Sequence, residues 1–376
     1  MGLVAAFVGF ASSFAIVLQG FAAMGATPAQ AASGLMAIAV AKGLAAVLMS
    51  ARTGIPIAFA WSTPGAALLV TTGALPGGFA EAVGGFMICG LLLTLTGVWR
   101  SLADLVARIP GPLANAMLAG VLLSLCLAPF KAIAFNPLWG LPIFLAWVIG
   151  RRIHALLAVP AALAAFCAVV VWGVAPDAVD LSDVPVLTRP ELVPPVFTMG
   201  GLIGLALPLY IVTMAGQNLP GVAVLKAHGY DRAPGPDIAA SGLASLLAAP
   251  FGGHAANYAA ITAALCMGPD AHPDPARRYW ASIVAGVCYV ALGLLAGITT
   301  AFVALAPQIL IQAVGGVALF SAFSAAALAA FRDAQDREAS AVTLLLTASG
   351  VSFWGVSGAF WGLLAGGLIL AIRKRQ

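Results

Sequence analysis

Two stretches decide the fold: Pro56-Ile-Ala-Phe-Ala-Trp61-Ser-Thr-Pro-Gly65-Ala-Ala-Leu68 and Pro250-Phe-Gly-Gly-His254-Ala-Ala-Asn257-Tyr258-Ala-Ala-Ile-Thr262. Each is an apolar run interrupted by Pro, Gly and hydroxyl or amide side chains, and too short for the roughly 20 residues of a spanning helix. In the first, Pro64 suits a first helical turn, where its missing N–H would have no partner anyway, and Ser62 or Thr63 can cap that turn. In the second, the break falls at Gly252–Tyr258 and Asn257 is the candidate cap. Such residues can also do no more than kink a membrane helix. Breaks at the same place in two halves favour half-helices, because short interrupted spans at corresponding places mark midplane sites in transporters. The free N–H groups and dipole of a half-helix start favour an anion.

Composition sets the medium around these breaks. Of 376 residues 62% are hydrophobic and 8% charged, with a mean hydropathy of +1.05, against about 25% charged in a soluble domain. No water-facing surface can be assembled from 17 Lys and Arg with 13 Asp and Glu. A soluble enzyme, a nucleic-acid binder and a disordered chain are excluded, and a net charge of +4 is too small to imply an acidic partner. Cys89, Cys126, Cys167, Cys266 and Cys288 lie in apolar runs without metal or redox spacing, so they read as small hydrophobes and no metal or cofactor is expected. The first span starts at Gly2 without a basic flank, which argues against a cleaved signal peptide.

Apolar runs broken by charge or by Pro and Gly predict fourteen spans, at about 2–23, 29–50, 55–72, 79–99, 102–128, 137–150, 154–174, 197–217, 237–250, 254–268, 278–297, 303–331, 339–351 and 353–372. With the N-terminus in the cytoplasm, alternation puts fourteen of the 17 basic residues on cytoplasmic flanks, leaving Lys131 and Arg189 outside and Lys42 within a span. The long outer loop, about 175–196, carries Asp177, Asp180, Asp183 and Glu191. That partition follows the positive-inside rule and predicts a multi-pass membrane protein with both termini cytoplasmic.

The halves align at an offset near 194–198. Besides the two breaks, Val17-Leu-Gln19-Gly20 matches Ala215-Gly-Gln217-Asn218, and Pro110-Gly-Pro-Leu-Ala-Asn115 matches Pro307-Gln-Ile-Leu-Ile-Gln312. Seven spans per half is odd, so the second half must be inverted. The expected fold is an all-α polytopic membrane protein of 14 transmembrane segments, built as two inverted 7-helix repeats, 1–195 and 196–376, with spans 3 and 10 broken.

Gln19, Gln217 and Asn218 place amides at equivalent points of spans 1 and 8, either to recognise a carboxylate or as an interhelical lock. Trp61, Phe59, Phe251 and Tyr258 cluster at the breaks, which suits an aromatic carboxylate, although core aromatics are as common. No Asp or Glu lies deep in a span: Glu81 and Asp237 are near span ends. Lys42, about two turns from the cytoplasmic end, is expected to snorkel. His254, at the second break, is the proton-coupling candidate, with a satisfied buried histidine as the plain alternative. The candidate substrate-binding set is Gln19, Trp61, Ser62, Thr63, Gly65, Gln217, Asn218, His254, Asn257 and Tyr258.

Trp61-Ser-Thr-Pro-Gly-Ala-Ala-Leu-Leu69, Val212-Thr-Met-Ala-Gly-Gln-Asn-Leu-Pro-Gly221, Ala260-Ile-Thr-Ala-Ala-Leu-Cys266 with Ala271-His-Pro-Asp274, and Ser357-Gly-Ala-Phe-Trp-Gly362 resemble the benzoate/proton symporter family (BenE), over essentially the whole chain. The resemblance implies secondary transport of benzoate or a similar aromatic acid with a proton. It also implies the fold shared with nucleobase and sulfate-type transporters, with a core domain (about 1–100 plus 197–300) and a gate domain (about 101–176 plus 301–372). Nucleobase members hold substrate with acidic residues on spans 8 and 10; this sequence has Gln217, Asn218, His254 and Asn257 there, which suits an anion. The expected partners are an aromatic carboxylate, a proton and the lipid bilayer, with a homodimer left open. The rivals are a transporter or exchanger of another organic anion or a nucleobase, and an anion channel. A membrane enzyme is disfavoured, since the spans hold no HExxH, Ser/Lys pair or paired carboxylates.

Overall fold

The structure, a computed structural model, describes residues 1–99, 109–174, 186–259, 261–351, 353 and 356–373. The start of expected span 5, Arg100, Arg108, Asp177, Asp180, Asp183, Lys374 and Arg375 lie outside the described residues.

The first half runs α1 (Gly2–Ala11), α2 (Phe14–Ala23), α3 (Pro28–Thr53), β1 (Phe59–Trp61), α4 (Thr63–Thr72), α5 (Gly78–Val98), α6 (Gly111–Cys126), α7 (Ala128–Phe135), α8 (Pro137–Ile153) and α9 (Ala158–Val169). The second runs α10 (Leu207–Thr213), α11 (Leu219–Ala227), α12 (Gly235–Ala248), β2 (Ala256–Tyr258), α13 (Ile261–Met267), α14 (Tyr279–Leu294), α15 (Ala296–Ala304), α16 (Gln308–Phe331), α17 (Arg337–Ala348) and α18 (Gly358–Arg373). α10 and α11 are joined by a π-helical turn, Met214–Asn218, and another, Gly201–Ala206, precedes α10.

Among the described residues, seven helical runs are long and apolar enough to cross a membrane: Gly2–Ala23, Pro28–Thr53, Gly78–Val98, Gly111–Phe135, Ala155–Val174, Gly201–Ala227 and Gln308–Phe331. The pair Pro275–Leu294 and Ala296–Ala304, bent by 55°, makes an eighth. The fourteen expected exceed this because the other apolar segments are short. α4 has 10 residues, α12 has 14, α13 has 7 and α17 has 12. Large apolar side chains such as Val98, Leu138, Trp172 and Leu328 stand exposed around the outside, as a lipid-facing surface requires.

Packing pairs the halves. α3 lies along α14 and α5 along α12, while α6 packs on α16. Close approach is set by small residues: a Cβ on Gly43 would sit 2.6 Å from the Gly286 carbonyl oxygen, and one on Gly286 equally close to the Gly43 carbonyl oxygen. Such small-residue seams are how membrane helices gain van der Waals contact.

The all-α expectation needs one correction. β1 and β2 pair antiparallel, with Phe59 opposite Tyr258, Ala60 opposite Asn257 and Trp61 opposite Ala256. Extended backbone at membrane depth must have its N–H and C=O groups paired within protein, and the two breaks pair each other. Three-residue strands carry no period a sequence can show.

Candidate functional site

The ribbon is locked at both ends. Ser62 N–H donates to the Ala255 carbonyl (2.8 Å) and Ala259 N–H to the Ala58 carbonyl (2.9 Å). Ser62 then caps α4, its Oγ accepting from Gly65 N–H at 3.1 Å, and that Oγ also accepts from the Thr213 hydroxyl at 2.8 Å. Gly65 permits the cap, since a Cβ there would lie 2.7 Å from Ser62 Oγ and 2.6 Å from Leu209 Cδ1. Asn257, expected as the second cap, lies instead in β2, and α13 starts later, at Ile261. Its amide donates to the Tyr258 carbonyl.

Beneath the ribbon is a chamber of about 90 Å³, lined by Gly9, Ser12, Ser13, Lys42, Ala60, Trp61, Thr63, Gln217, Ala259, Thr262 and Tyr289. Ser12, Ser13, Thr63, Gln217 and Thr262 also line a vestibule of about 300 Å³. The vestibule wall adds Pro64, Trp147, Arg151, Val159, Val317 and Leu319, so α1 and α4 face α8, α9 and α16 across it. Its size falls at the lower end of small-molecule sites, about 300–1,000 Å³. A larger groove of about 600 Å³, between Met1–Leu3 and Tyr279–Val284, shares none of these residues and holds no buried charge.

Lys42 corrects the snorkelling expectation. Its side chain is 1% exposed, and its ammonium lies 3.6 Å from the centroids of both the Trp61 and Tyr289 rings. Trp61 is fixed by its indole N–H donating to Ser13 Oγ at 2.7 Å, and Tyr289 by its hydroxyl donating to the Ala5 carbonyl at 3.3 Å. A desolvated cation–π contact contributes about 2 kcal/mol or more, whereas removing an ammonium from water costs several. Two ring faces are of the same order as that cost, and an anion in the chamber would add a paired charge.

Of the sequence-derived residues, Trp61, Thr63 and Gln217 reach the chamber. Gln217 rides the π-helical turn, a distortion frequent at functional sites, which re-aims side chains relative to a regular helix. Ser62, Gly65, Asn218 and Tyr258 build the wall behind it, with Asn218 Oδ1 accepting from Tyr258 N–H at 2.8 Å. Gln19 is buried with no hydrogen-bond partner among the described residues and lies outside both lining sets. His254 does not reach the chamber as expected. Its Nε2 donates to the Ser62 carbonyl at 3.1 Å and its ring lies edge-on to Phe21 and Phe86, at 5.5 and 6.4 Å. It positions the capping residue.

Ser12, Ser13, Thr262 and Tyr289 were missed, as apolar helices carry many such residues. Lys42 had a signal: an ionisable residue inside a span is a site by default. The two acidic residues near span ends are also more engaged than expected. Asp237 is fully buried, pairs with Arg232 at 2.9 Å and accepts from the Tyr258 hydroxyl, while Glu81 accepts from Gly77 N–H (2.7 Å) and from the Thr198 hydroxyl.

Comparison with known proteins identifies the family and the fold. The family model described as "BenE: Benzoate membrane transport protein" matches residues 1–372. The chain is 38% identical over 372 residues to the inner membrane protein YdcO of Escherichia coli K12, covering 99% of this chain and 94% of that protein. It is 36% identical over 342 residues to the benzoate membrane transport protein of Acinetobacter baylyi, covering 89% and 84%. Among solved structures, the transmembrane domain of the cyanobacterial bicarbonate transporter BicA superposes with a TM-score of 0.58 at 15% identity, covering 99% of this chain and 94% of that one. Murine Slc26a9, an anion transporter in its inward-facing state, gives 0.61 at 13% identity, covering 100% and 68%. At such identity these two establish the fold alone. The chain belongs to the BenE family of benzoate membrane transport proteins, a membrane transporter family and not an enzyme family.

Proposed function

We propose that this protein imports benzoate or a similar aromatic carboxylate, together with a proton, across the bacterial inner membrane. The observation that carries the reading is the chamber under the paired breaks, where the buried Lys42 Nζ stands between two aromatic rings beside Thr63 and Gln217. The carboxylate meets Lys42, the Gln217 amide and the start of α4, and the ring extends into the largely apolar vestibule. Energetics favour a proton as companion: moving one negative charge inward against an inside-negative potential costs about 2.3 kcal/mol per 100 mV, and one proton cancels it.

The proposal includes fourteen segments in two inverted repeats with both termini cytoplasmic. What supports the inversion is that exchanging the halves maps the α3–α14 pair onto α12–α5 and maps the β1–β2 ribbon onto itself. Core (about 1–100 plus 197–300) and gate (about 101–176 plus 301–372) move as bodies about the vestibule, whose walls come from both. An inward-open conformation is supported by Arg151, an exposed residue of the vestibule lining on the flank that the basic residues mark as cytoplasmic. The test is counterflow on reconstituted protein with a panel of labelled acids. Saturable exchange of benzoate, and none of uracil or sulfate, is expected; exchange of either of those without benzoate overturns the reading.

A further inference from the structure

Resting on the reading that the chamber is the anion site, the geometry of Lys42 carries an inference about coupling. Its Nζ is buried, lines the chamber and lies over two aromatic ring faces. Among the described residues no carboxylate pairs with it: Asp237 is held by Arg232 and Tyr258, and Glu81 by Gly77 and Thr198. A lone ammonium removed from water with only ring faces around it is costly, so its charge and a counter-charge gain by arriving and leaving together. The chamber provides for this, because Lys42 stands in its lining and Thr63, Gln217 and Thr262 line both it and the vestibule that would admit a carboxylate.

We propose that Lys42 both receives the substrate's carboxylate and carries the co-transported proton. On the outer side one N–H bond forms at Nζ with a proton from solution, and the carboxylate docks against the resulting ammonium. On the inner side the carboxylate leaves, that N–H bond breaks, and the proton passes to cytoplasmic water. No electrons are exchanged, and one anion and one proton cross per turn. The empty carrier returns neutral, so the cycle moves no net charge.

Other titratable groups on the surrounding elements do not replace it. Tyr289 and Cys288 on α14, Cys266 on α13 and Tyr258 on β2 are phenols and thiols, and none is a carboxylate that could pair with Lys42. His254, before β2, holds the Ser62 carbonyl. Asp237 on α12 is paired, and Glu191 meets Ser33, near the start of α3, through its backbone. The elements α2, α15 and β1 offer no titratable side chain.

The experiment uses the full chain in proteoliposomes with labelled benzoate and a trapped pH dye, comparing wild type with Lys42→Arg and Lys42→Met. Arginine keeps a cation that does not release its proton; in Lys42→Arg, accumulation driven by a pH gradient and the accompanying dye signal should fall far more than benzoate–benzoate exchange does. Lys42→Met keeps the apolar stem, and in purified, monodisperse form should bind benzoate about 10- to 100-fold more weakly, the scale of a lost hydrogen bond to a charged group. Gradient-driven accumulation by Lys42→Arg at the wild-type level overturns the proton role. Wild-type affinity in Lys42→Met, measurable whether or not the arginine variant folds, overturns the recognition role. Either leaves the transporter reading intact, whereas a wild type that neither binds nor exchanges any aromatic acid overturns both.

Discussion

Ser62→Ala probes how the broken span is built. The Ser62 side chain is fully buried and serves two partners, capping Gly65 N–H at 3.1 Å and accepting from the Thr213 hydroxyl at 2.8 Å. Loss of a cap typically costs about 1 kcal/mol. Interhelical side-chain hydrogen bonds in membranes average about 0.6 kcal/mol and reach about 1.7, because the reference state also finds partners. The sum predicts a loss near 2 kcal/mol, read as a fall in unfolding free energy in detergent, and weaker benzoate binding because α4 no longer starts at a fixed place. A double-mutant cycle with Thr213→Val separates the terms: the coupling energy should be about 0.6–1.7 kcal/mol, with the cap cost left over. Unchanged stability and unchanged affinity in Ser62→Ala would refute the half-helix start as drawn. A coupling energy of zero would refute the Thr213 contact alone.

Four further outcomes follow from the same geometry. Trp61→Phe keeps a ring over Lys42 but loses the bond to Ser13, so stability should fall by about 1 kcal/mol; Trp61→Ala should lose about 3–5, both by thermal unfolding, and no loss in Trp61→Phe would contradict the bond. Asn218→Leu strands the Tyr258 N–H and should cost about 1–3 kcal/mol in the same assay, with no loss if another acceptor replaces it. Gly43→Leu cannot be accommodated against the Gly286 carbonyl, and overpacking of about 1–3 kcal/mol should appear as a lower melting temperature; an unchanged one would place the α3–α14 seam elsewhere. Gln217→Ala should weaken benzoate binding by about 1–3 kcal/mol with little change in apo stability, since Gln217 is only half-buried.

What could be read from the sequence was what repeats or is expensive. Paired Pro/Gly breaks, the Ser62 cap and the amide pair at Gln217 and Asn218 were legible because each has a local chemical reason. The antiparallel ribbon was not, since Phe59–Trp61 and Ala256–Tyr258 each need a partner almost 200 residues away. That unseen pairing moved the second half-helix start to Ile261 and took Asn257 out of its expected capping role. Lys42 was misread for a related reason: its distance from the membrane surface was counted along one helix, whereas Trp61 and Tyr289, from two other elements, draw its ammonium inward. His254 was placed correctly at the break, but which side of the ribbon its ring occupies is decided by Phe21 and Phe86.

The central claim, that the chamber beneath the ribbon is the aromatic-carboxylate site, is tested most directly by a crystal structure with 4-bromobenzoate, recorded at the bromine absorption edge. The account predicts one strong anomalous peak in the vestibule beyond Thr63 and Gln217, with the carboxylate directed at Lys42 Nζ between Trp61 and Tyr289. A peak at saturating ligand only in the surface groove between Met1–Leu3 and Tyr279–Val284, with the chamber left unchanged, would contradict it.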